Sequence, residues 1–253
     1  MTDYQKFWDR FHDSGYYNPS QRHRFRLIFS EVSRILKKTG KPAASVRILD
    51  LGCGLGHLIY HLNQKYPEIH FRGVDISEKA IAEMRQTLPG VLWDVMDIQK
   101  PVEDRGLGSY DIVICSEVLE HCERPGEVIA NAARFTVPGG WAIITVPGGG
   151  RYRIDHDLGH LRHYRLEDVK GLFRGHPLEL TDAYAWGWPF LNLMRWMVDK
   201  LYKFTTQKFL DTQYDWKQKG FCQCLYLLMF ANIRGAGCQL AGVFRKSAQP
   251  KNA

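Results

Sequence analysis

The feature that most constrains the fold is a glycine-rich turn that directly follows an aliphatic run. Residues 46–51 are mostly β-branched or aliphatic, and glycines follow as Gly52, Gly54 and Gly56. A run of this kind is typical of a buried strand in a parallel sheet. The glycines let the chain turn tightly and let its backbone approach a ligand closely. With a predicted helix over 57–65, the segment has the strand, glycine loop and helix N-terminus of a nucleotide-type pocket.

The spacing of these glycines narrows the kind of ligand. A dinucleotide-binding fingerprint has the spacing G-x-G-x-x-G, whereas this chain has G-x-G-x-G and carries His57 where the third glycine would fall. Asp50 precedes Gly52 by two residues, and its carboxylate would repel a pyrophosphate. The turn therefore favours a ligand that has no phosphates and carries a cationic amino end.

A second acid supports a nucleoside-containing ligand. Residues 69–75 are predicted to form the next strand, which ends at Asp75. A carboxylate at the end of the second strand is placed to hold both hydroxyls of a ribose, a feature that dinucleotide enzymes share. Ser77 is predicted to be the N-cap of a helix over 77–88.

Strand and helix patterns alternate along most of the chain, which predicts a doubly wound, mostly parallel α/β sheet. Further strands are predicted at 91–95, 110–116, 141–147, 178–186 and 238–246. The predicted divisions are a helical N-terminal cap at 1–45, an α/β core at 46–186, a helical insertion or lid at 187–235, and the last strand with a tail at 236–253.

Taken together, the motifs resemble those of class I S-adenosylmethionine-dependent methyltransferases of the small-molecule type. Residues 50–56 are similar to the first motif of that family, 110–121 to its fourth-strand motif, and 138–140 to its fifth-strand motif. The resemblance covers most of the chain. It implies a seven-stranded Rossmann-like sheet with an antiparallel last strand, S-adenosylmethionine as the methyl donor and S-adenosylhomocysteine as the product.

The resemblance also implies which residues contact the cofactor. Those implied at its methionine end are Asp50, Gly52, Cys53, Gly54 and Gly56. Those implied along the rest of the cofactor are Asp75 at the ribose, Ile76 on the adenine, Asp97 and Ile98 at the adenine edge, and Ser116 and Glu117 under the sulfonium.

Catalytic candidates lie in one histidine-rich stretch at 155–164. Methyl transfer from a sulfonium is an in-line displacement, so the enzyme mainly aligns the reacting groups and excludes water. A base helps only when the nucleophile must lose a proton. Because histidine titrates near neutral pH, we predict His160 and His163 as bases, followed by His156, with Tyr164 orienting the substrate. The alternative is that these side chains only cap the loop and pack beside the site.

An alternative role attaches to Glu117, Glu120 and His121. Their E-x-x-E-H spacing is similar to that of two metal-assisted groups, one acting on the terminal ribose of small RNAs and one on catechols in quinone synthesis. There the three residues bind a divalent ion with a further histidine, which His156 or His160 would supply here. Because the same string also occurs in members without a metal, we predict no metal and keep this set as the alternative.

Charge and composition limit the kinds of binding partner that we expect. The net charge of +7 would attract nucleic acid, an anionic membrane or an acidic substrate, but no RNA-binding module or aromatic-interleaved basic motif is present, so we do not expect nucleic acid. The six cysteines are interpreted as reduced thiols, and no signal segment or bilayer-length apolar run is present. These features predict a cytoplasmic protein.

The insertion at 187–235 is rich in large apolar side chains. Its polar residues Asn192, Arg195, Asp199 and Lys203 recur at helical spacing, which predicts one exposed polar stripe. We expect ordinary core packing, or a lid over a bulky, apolar-bodied substrate. Peripheral docking to a membrane is the less favoured alternative; the lysines that would assist it are Lys200, Lys203 and Lys208.

The sequence thus predicts S-adenosylmethionine-dependent methyl transfer to an oxygen or nitrogen of a small or lipid-like metabolite. An RNA 2′-O-methyltransferase, a metal-assisted O-methyltransferase and a non-catalytic cofactor-binding partner subunit stay open as alternatives. Neither the methyl acceptor nor the oligomeric state follows from the sequence.

Overall fold

One sheet of eight strands organises the computed structural model, which describes residues 12–102, 108–205 and 213–248. The strands are β1 (Arg47–Leu51), β2 (His70–Asp75), β3 (Leu92–Val95), β4 (Tyr110–Ser116), β5 (Thr136–Pro147), β6 (Leu178–Trp188), β7 (Ile233–Arg234) and β8 (Gln239–Lys246). The α-helices are α1 (His12–Tyr17), α2 (Pro19–Thr39), α3 (His57–Lys65), α4 (Glu78–Thr87), α5 (Pro125–Phe135), α6 (Arg153–Asp157), α7 (Leu166–Lys170), α8 (Phe190–Lys200), α9 (Tyr202–Thr205) and α10 (Trp216–Leu228).

The strand order places the ligand edge of the sheet. The order is β3-β2-β1-β4-β5-β8-β6-β7, with β1 parallel to both β2 and β4 and β8 antiparallel to β5 and β6. The order reverses between β1 and β4, the point where open α/β sheets bind their ligands at the carboxyl ends of the strands. The predicted α/β sheet with an antiparallel last strand is confirmed. The eighth strand, β7, has two residues, too few to leave a period in the sequence.

Both faces of β1 are buried, which explains its aliphatic sequence. Ile48 belongs to a hydrophobic cluster that contains Ile28 of α2 and Ile59 of α3. Its neighbour Leu49 belongs to a second cluster, with Val113 of β4 and Ala132 of α5. Alternate side chains of a strand point to opposite faces, so a central strand with helices on both sides is apolar throughout.

Helix capping fixes the elements around the glycine turn. Ser77 accepts a hydrogen bond from the backbone of Ala80 and caps α4, as predicted. Asn18 caps the 21-residue helix α2, which ends at Gly40 with a left-handed φ of 61°. Helix α2 is the main described part of the predicted N-terminal cap, and it carries side chains to the carboxyl edge of the sheet.

The predicted polar stripe of the insertion is wrong for its three residues on α8, which make contacts with the rest of the fold, whereas Lys203 on α9 is exposed as predicted. Asn192 Oδ1 accepts a hydrogen bond from Cys238 N at 3.1 Å, and Asp199 Oδ1 accepts one from Arg153 N at 3.1 Å. Arg195 also points inward, towards the histidine loop. Periodicity shows that a helix has two faces, but partners elsewhere in the fold decide which face is buried.

Lys208 lies outside the described residues. Within the part of the chain that the structure describes, no helix combines the length and the apolarity that crossing a bilayer requires.

Candidate active site

The glycine turn is held against β2 by backbone hydrogen bonds. Gly52 N and Cys53 N both donate to Val74 O, at 2.8 and 3.0 Å. Gly54 N donates to Asp75 Oδ2 at 2.8 Å. Burial raises the pKa of the Cys53 thiol well above its usual value, so this side chain contributes a neutral wall. The turn and the ribose-side acid predicted from the sequence therefore form one connected structure.

The three glycines are required for different reasons. All have positive φ, at 77° for Gly52, 51° for Gly54 and 62° for Gly56. A Cβ on Gly52 would lie 2.6 Å from Val118, and one on Gly56 would lie 2.7 Å from Trp93. A Cβ on Gly54 would meet no described atom within 4 Å. Gly54 therefore faces open space, which is where a ligand can approach the backbone.

Two acids give this end of the site its charge. Asp50 is 3% exposed, and burial raises its pKa to about 7, with repulsion from Asp75 adding to the shift and Arg24 opposing it. Burial also raises the pKa of Asp75, against hydrogen bonds from the backbone that include one from Ser77 N at 2.9 Å. A cationic group placed beside these acids would favour their ionised forms.

The residues predicted around the adenine differ in accessibility. Ile76 is 50% exposed and available to a flat ring. Asp97 accepts a hydrogen bond from Gln99 N at 3.0 Å and lies 3.0 Å from Lys100 Nζ, so its carboxylate closes its own turn. The side chain of Ile98 is only 7% exposed and packs in the hydrophobic core.

Glu117 lies at the end of β4 in a strained conformation. Its φ of 55° is in the left-handed region, which costs a non-glycine residue about 1 kcal/mol. Its carboxylate accepts hydrogen bonds from Thr145 Oγ1 at 3.2 Å and Gln239 Nε2 at 2.9 Å, and it lies 3.6 Å from Arg24 Nη1. Ser116 Oγ hydrogen-bonds to the same threonine at 2.9 Å. These contacts aim the side chain across the edge of the sheet.

Glu120 is fully buried beside two histidines. Neither of its carboxylate oxygens has a hydrogen-bond partner among the described residues, and burial raises its pKa well above the usual range. His121 hydrogen-bonds to Gly159 O at 3.4 Å, and burial lowers its pKa to about 4. Its ring stands edge-on to that of His160, with centroids 4.7 Å apart. Buried polar groups normally have a hydrogen-bond partner, so we expect this carboxyl to bind a group that the structure does not contain.

The predicted histidines His160 and His163 form a hydrogen-bonded pair. Their Nδ1 and Nε2 atoms are 3.0 Å apart, and His163 Nδ1 lies 3.2 Å from Gly149 O. Burial, followed by the charge of His121 and His163, lowers the pKa of His160 to about 2. His160 is therefore a neutral imidazole at physiological pH, and a weak acceptor of a proton.

Two groups of side chains bring potential metal-ligating atoms within 4.8 Å of one another in the described structure. They are Glu120, His121 and His160, and Asp155, His160 and His163. In the second group, Asp155 accepts hydrogen bonds from Arg195 Nη2 at 2.8 and 2.7 Å and from Tyr152 N at 2.7 Å. Because these donors occupy the Asp155 carboxylate, the set containing Glu120 is the better cation site.

The other two catalytic candidates lie elsewhere. His156 is exposed on the short helix α6 and belongs to neither of the two groups. Tyr164 is buried, and its hydroxyl donates to Leu119 O at 3.1 Å. The structure therefore gives Tyr164 a contact with the turn that carries Glu120.

Arg24 is a site residue that the sequence did not reveal. It reaches from α2 towards Glu117, and its Nε is buried with no hydrogen-bond partner among the described residues. Its charge lowers the pKa of both Asp50 and Glu120, so it lies between the glycine turn and the histidine cluster. It is one of three arginines between positions 22 and 26, and only the packing of α2 determines which of them points into the site.

This end of the site fits the methionine part of S-adenosylmethionine. The carboxyl of Asp50 would suit an ammonium, the Nε of Arg24, which has no hydrogen-bond partner in the described part of the chain, would suit a carboxylate, and the open side of Gly54 leaves room for the ligand. Asp75 stands at the end of β2, where a ribose is expected.

Comparisons with known proteins agree with this geometry. A family model described as a methyltransferase domain matches residues 20–188. Curated relatives include the ubiquinone biosynthesis O-methyltransferases of Burkholderia cenocepacia, 34% identical over 105 residues, and of Bordetella pertussis, 32% identical over 115 residues. These alignments cover 40% and 44% of this chain, and they span 44% and 46% of the length of the relatives.

Solved structures show the same fold at low identity. A putative sarcosine dimethylglycine methyltransferase from Galdieria sulphuraria superimposes with a TM-score of 0.65 at 16% identity, over 98% of this chain and all of that one. The N-methyltransferase NodS from Bradyrhizobium japonicum, solved with S-adenosylhomocysteine, gives 0.57 at 16% identity, over 97% and 99% of the two chains. The resemblance and the cofactor predicted from the sequence are confirmed. The chain belongs to the methyltransferase-domain family, whose cofactor is S-adenosylmethionine.

Proposed function

We propose that this protein transfers a methyl group from S-adenosylmethionine to a hydroxyl oxygen of a small molecule, with a divalent cation held by Glu120, His121 and His160. The observation that carries the proposal is the fully buried carboxyl of Glu120, which has no hydrogen-bond partner among the described residues and lies beside two imidazoles. Mixed carboxylate and imidazole sets suit divalent metals. The matched relatives that are named O-methyltransferases support oxygen as the acceptor atom.

The donor is positioned by residues on both sides of the glycine turn. In this proposal Asp50 binds the ammonium of the methionine part, and Arg24 binds its carboxylate. Asp75, held by Gly54 N and Ser77 N, accepts hydrogen bonds from the ribose hydroxyls. The positive sulfur already activates the methyl group, so these residues act by alignment.

The acceptor is positioned by the cluster at the ends of β4 and β5. A bound divalent cation would lower the pKa of an acceptor hydroxyl next to it. Glu117 directly follows β4 and is not part of this donor set, because its carboxylate is held by Thr145, Gln239 and Arg24. His160 serves here as a ligand, because its lowered pKa makes it a poor base.

A second layer of contacts holds this cluster in place. His163 bonds to His160, and Asp155 lies 3.5 Å from His163. Tyr164 supports the turn that carries Glu120. Rigid support of this kind is what metal ligands need in order to keep their orientation.

Binding of Mn²⁺, measured by titration calorimetry and by the loss of the free-ion electron paramagnetic resonance signal, tests the cation site without using activity. Wild type should bind Mn²⁺, and Glu120→Gln should weaken binding at least tenfold. Glu123→Gln is the matched control, because Glu123 is an exposed glutamate three residues away. Equal binding by wild type and Glu120→Gln would overturn the assignment.

Methylation of two matched probes tests the reaction class. The enzyme with Mg²⁺ or Mn²⁺ should methylate 4-tert-butylcatechol in preference to 4-tert-butylphenol, because only the catechol offers two adjacent oxygens to a cation. EDTA should abolish the reaction, and added metal should restore it. Full activity in EDTA would instead return His163 to the role of base predicted from the sequence.

A further inference from the structure

We propose that the outer face of α8 and α9 docks this protein onto an anionic lipid membrane. The face consists of Leu193, Trp196, Lys200, Leu201, Lys203 and Phe204, and we call it the α8–α9 face. Its four large apolar side chains are 49%, 49%, 52% and 57% exposed, for Leu193, Trp196, Leu201 and Phe204 respectively. Contiguous exposed apolar surface of this kind is unusual in a monomer and marks an interaction site.

The orientation of α8 is fixed by its polar contacts with the rest of the fold. Arg195 is paired with Asp155, and Asn192 is bonded to the backbone of Cys238. On the same side, Leu191 packs in a small cluster with Met229. Because these contacts all lie inward, Leu193 and Trp196 are necessarily presented outward.

The chemistry of the α8–α9 face matches that of a membrane interface. Basic and apolar side chains line a shallow groove on this face; its lining residues are Arg153, Lys200, Leu201, Tyr202, Lys203 and Phe204. No acidic side chain is among them in the described structure. Tryptophan and leucine enter the boundary between headgroups and acyl chains, while lysines beside them bind anionic headgroups. The chain as a whole carries a net charge of +7, which adds to the attraction.

A second copy of the chain fits this face less well. A two-fold interface places the same patch on both partners. The basic patch of one copy would then face the basic patch of the other, and like charges across an interface oppose association. An anionic surface instead attracts the positive charge of Lys200.

Co-sedimentation with vesicles tests the proposal, using phosphatidylcholine alone and phosphatidylcholine with about one third phosphatidylglycerol at near-physiological salt. We expect wild type to bind the anionic vesicles and not the neutral ones. Leu193→Ser, Trp196→Ser and Lys200→Glu should each lower the vesicle-bound to free ratio at least about fivefold, because each removes apolar area or a basic charge from the contact.

The chain offers matched controls for both kinds of change. Lys37→Glu makes the same charge reversal in the last turn of α2 that Lys200→Glu makes in the last turn of α8. Leu180→Ser removes a leucine of β6 that lies away from the α8–α9 face. This leucine is 42% exposed and has basic residues next to it. Both controls should bind vesicles like wild type. Retention of the S-adenosylhomocysteine thermal shift shows that each variant is folded.

Three outcomes would overturn the proposal. The first is that wild type binds neither kind of vesicle. The second is that Lys37→Glu weakens binding as much as Lys200→Glu, which shows diffuse attraction by the net charge. The third is a dimer in sedimentation velocity that Trp196→Ser dissociates, without vesicle binding, which makes the α8–α9 face a contact between copies.

Discussion

Both carboxylate oxygens of Asp155 accept hydrogen bonds from Nη2 of Arg195, at 2.8 and 2.7 Å. This pair joins α8, which belongs to the insertion, to the loop that carries His160 and His163. Asp155 itself is 3% exposed and lies within 4 Å of both histidines. The ion pair between Arg195 and Asp155 therefore connects the peripheral helix α8 to the histidine cluster.

Replacing Arg195 should affect stability and turnover together. Arg195→Met leaves Asp155 buried without its cation, and loss of one partner from a buried pair costs about 3–5 kcal/mol. We expect a fall of roughly this size in the free energy of unfolding measured with urea, and a fall in kcat of about tenfold or more, because the histidines lose their support. Arg195→Lys should recover part of both, and Lys200→Met, an exposed change on the same helix, should alter neither. A stable, fully active Arg195→Met variant would contradict the role given to this pair.

The pKa of Asp50 predicts how cofactor binding depends on pH. Its pKa of about 7 in the free protein means that the carboxyl carries a proton below pH 7 and is ionised above it. The ligand's ammonium pairs with the ionised form, so affinity for S-adenosylhomocysteine should be constant above pH 7 and fall by up to about tenfold per unit below it. Calorimetry near pH 6 in two buffers of different ionisation enthalpy should detect the released proton. Asp50→Asn should bind more weakly, with a flat profile; a sloping profile in that variant would assign the proton to another group.

Replacing Asp50 should weaken cofactor binding but raise the thermal stability of the unliganded protein. Because burial raises the pKa of Asp50 from about 4 in the unfolded chain to about 7 in the folded one, this carboxyl makes folding less favourable as the pH rises between those values, and the full penalty is present above pH 7. Asp50→Asn removes that charge, so the unliganded variant should melt at a higher temperature than wild type at pH 8, by about 2–4 °C for each kcal/mol recovered. Differential scanning calorimetry at pH 8 and pH 6 tests this, and the gain should shrink at the lower pH. A lower melting temperature at pH 8 would show that Asp50 stabilises the turn.

The glycine turn predicts different outcomes for glycines with similar backbone angles. Gly54 and Gly40 have φ values of 51° and 61°, and neither would place a Cβ within 4 Å of another described atom. Substitution by alanine should therefore destabilise each by about 1 kcal/mol through backbone strain alone. Only Gly54→Ala should weaken binding of S-adenosylhomocysteine, since Gly40 ends α2 away from the turn. Equal affinities for the two variants would remove Gly54 from the pocket.

Replacing the buried histidines of the cluster should lower turnover, whereas replacing the exposed His156 should not. His160→Ala and His163→Ala should each lower turnover at least about tenfold while affinity for S-adenosylhomocysteine is kept, because both lie in the cluster at the ends of β4 and β5. His156→Ala should leave turnover within about twofold of wild type, since its ring is exposed on α6. Steady-state kinetics beside calorimetry on the same samples would check this. A large loss confined to His156→Ala would reverse the assignment.

Much of this architecture is readable from the sequence because it depends on local chemistry. The run ending at Leu51, the glycines after it and the N-cap Ser77 each determine a strand, a turn or a helix start through their own backbone and hydrogen-bonding properties. The orientation of α8 was not readable, because Asn192 and Arg195 would suit solvent equally well without their partners at Cys238 and Asp155.

The sequence by itself determined the cofactor end of this protein, since glycine spacing and two acids at strand ends leave little choice of ligand. The tertiary structure decided what surrounds it. It placed Arg24 between the turn and the cluster, buried Glu120 against two imidazoles, and turned Leu193 and Trp196 of α8 outward. The physical reason is that burial, charge pairing and the choice of a helix's inner face arise from contacts between residues far apart in the chain, and no local pattern records them.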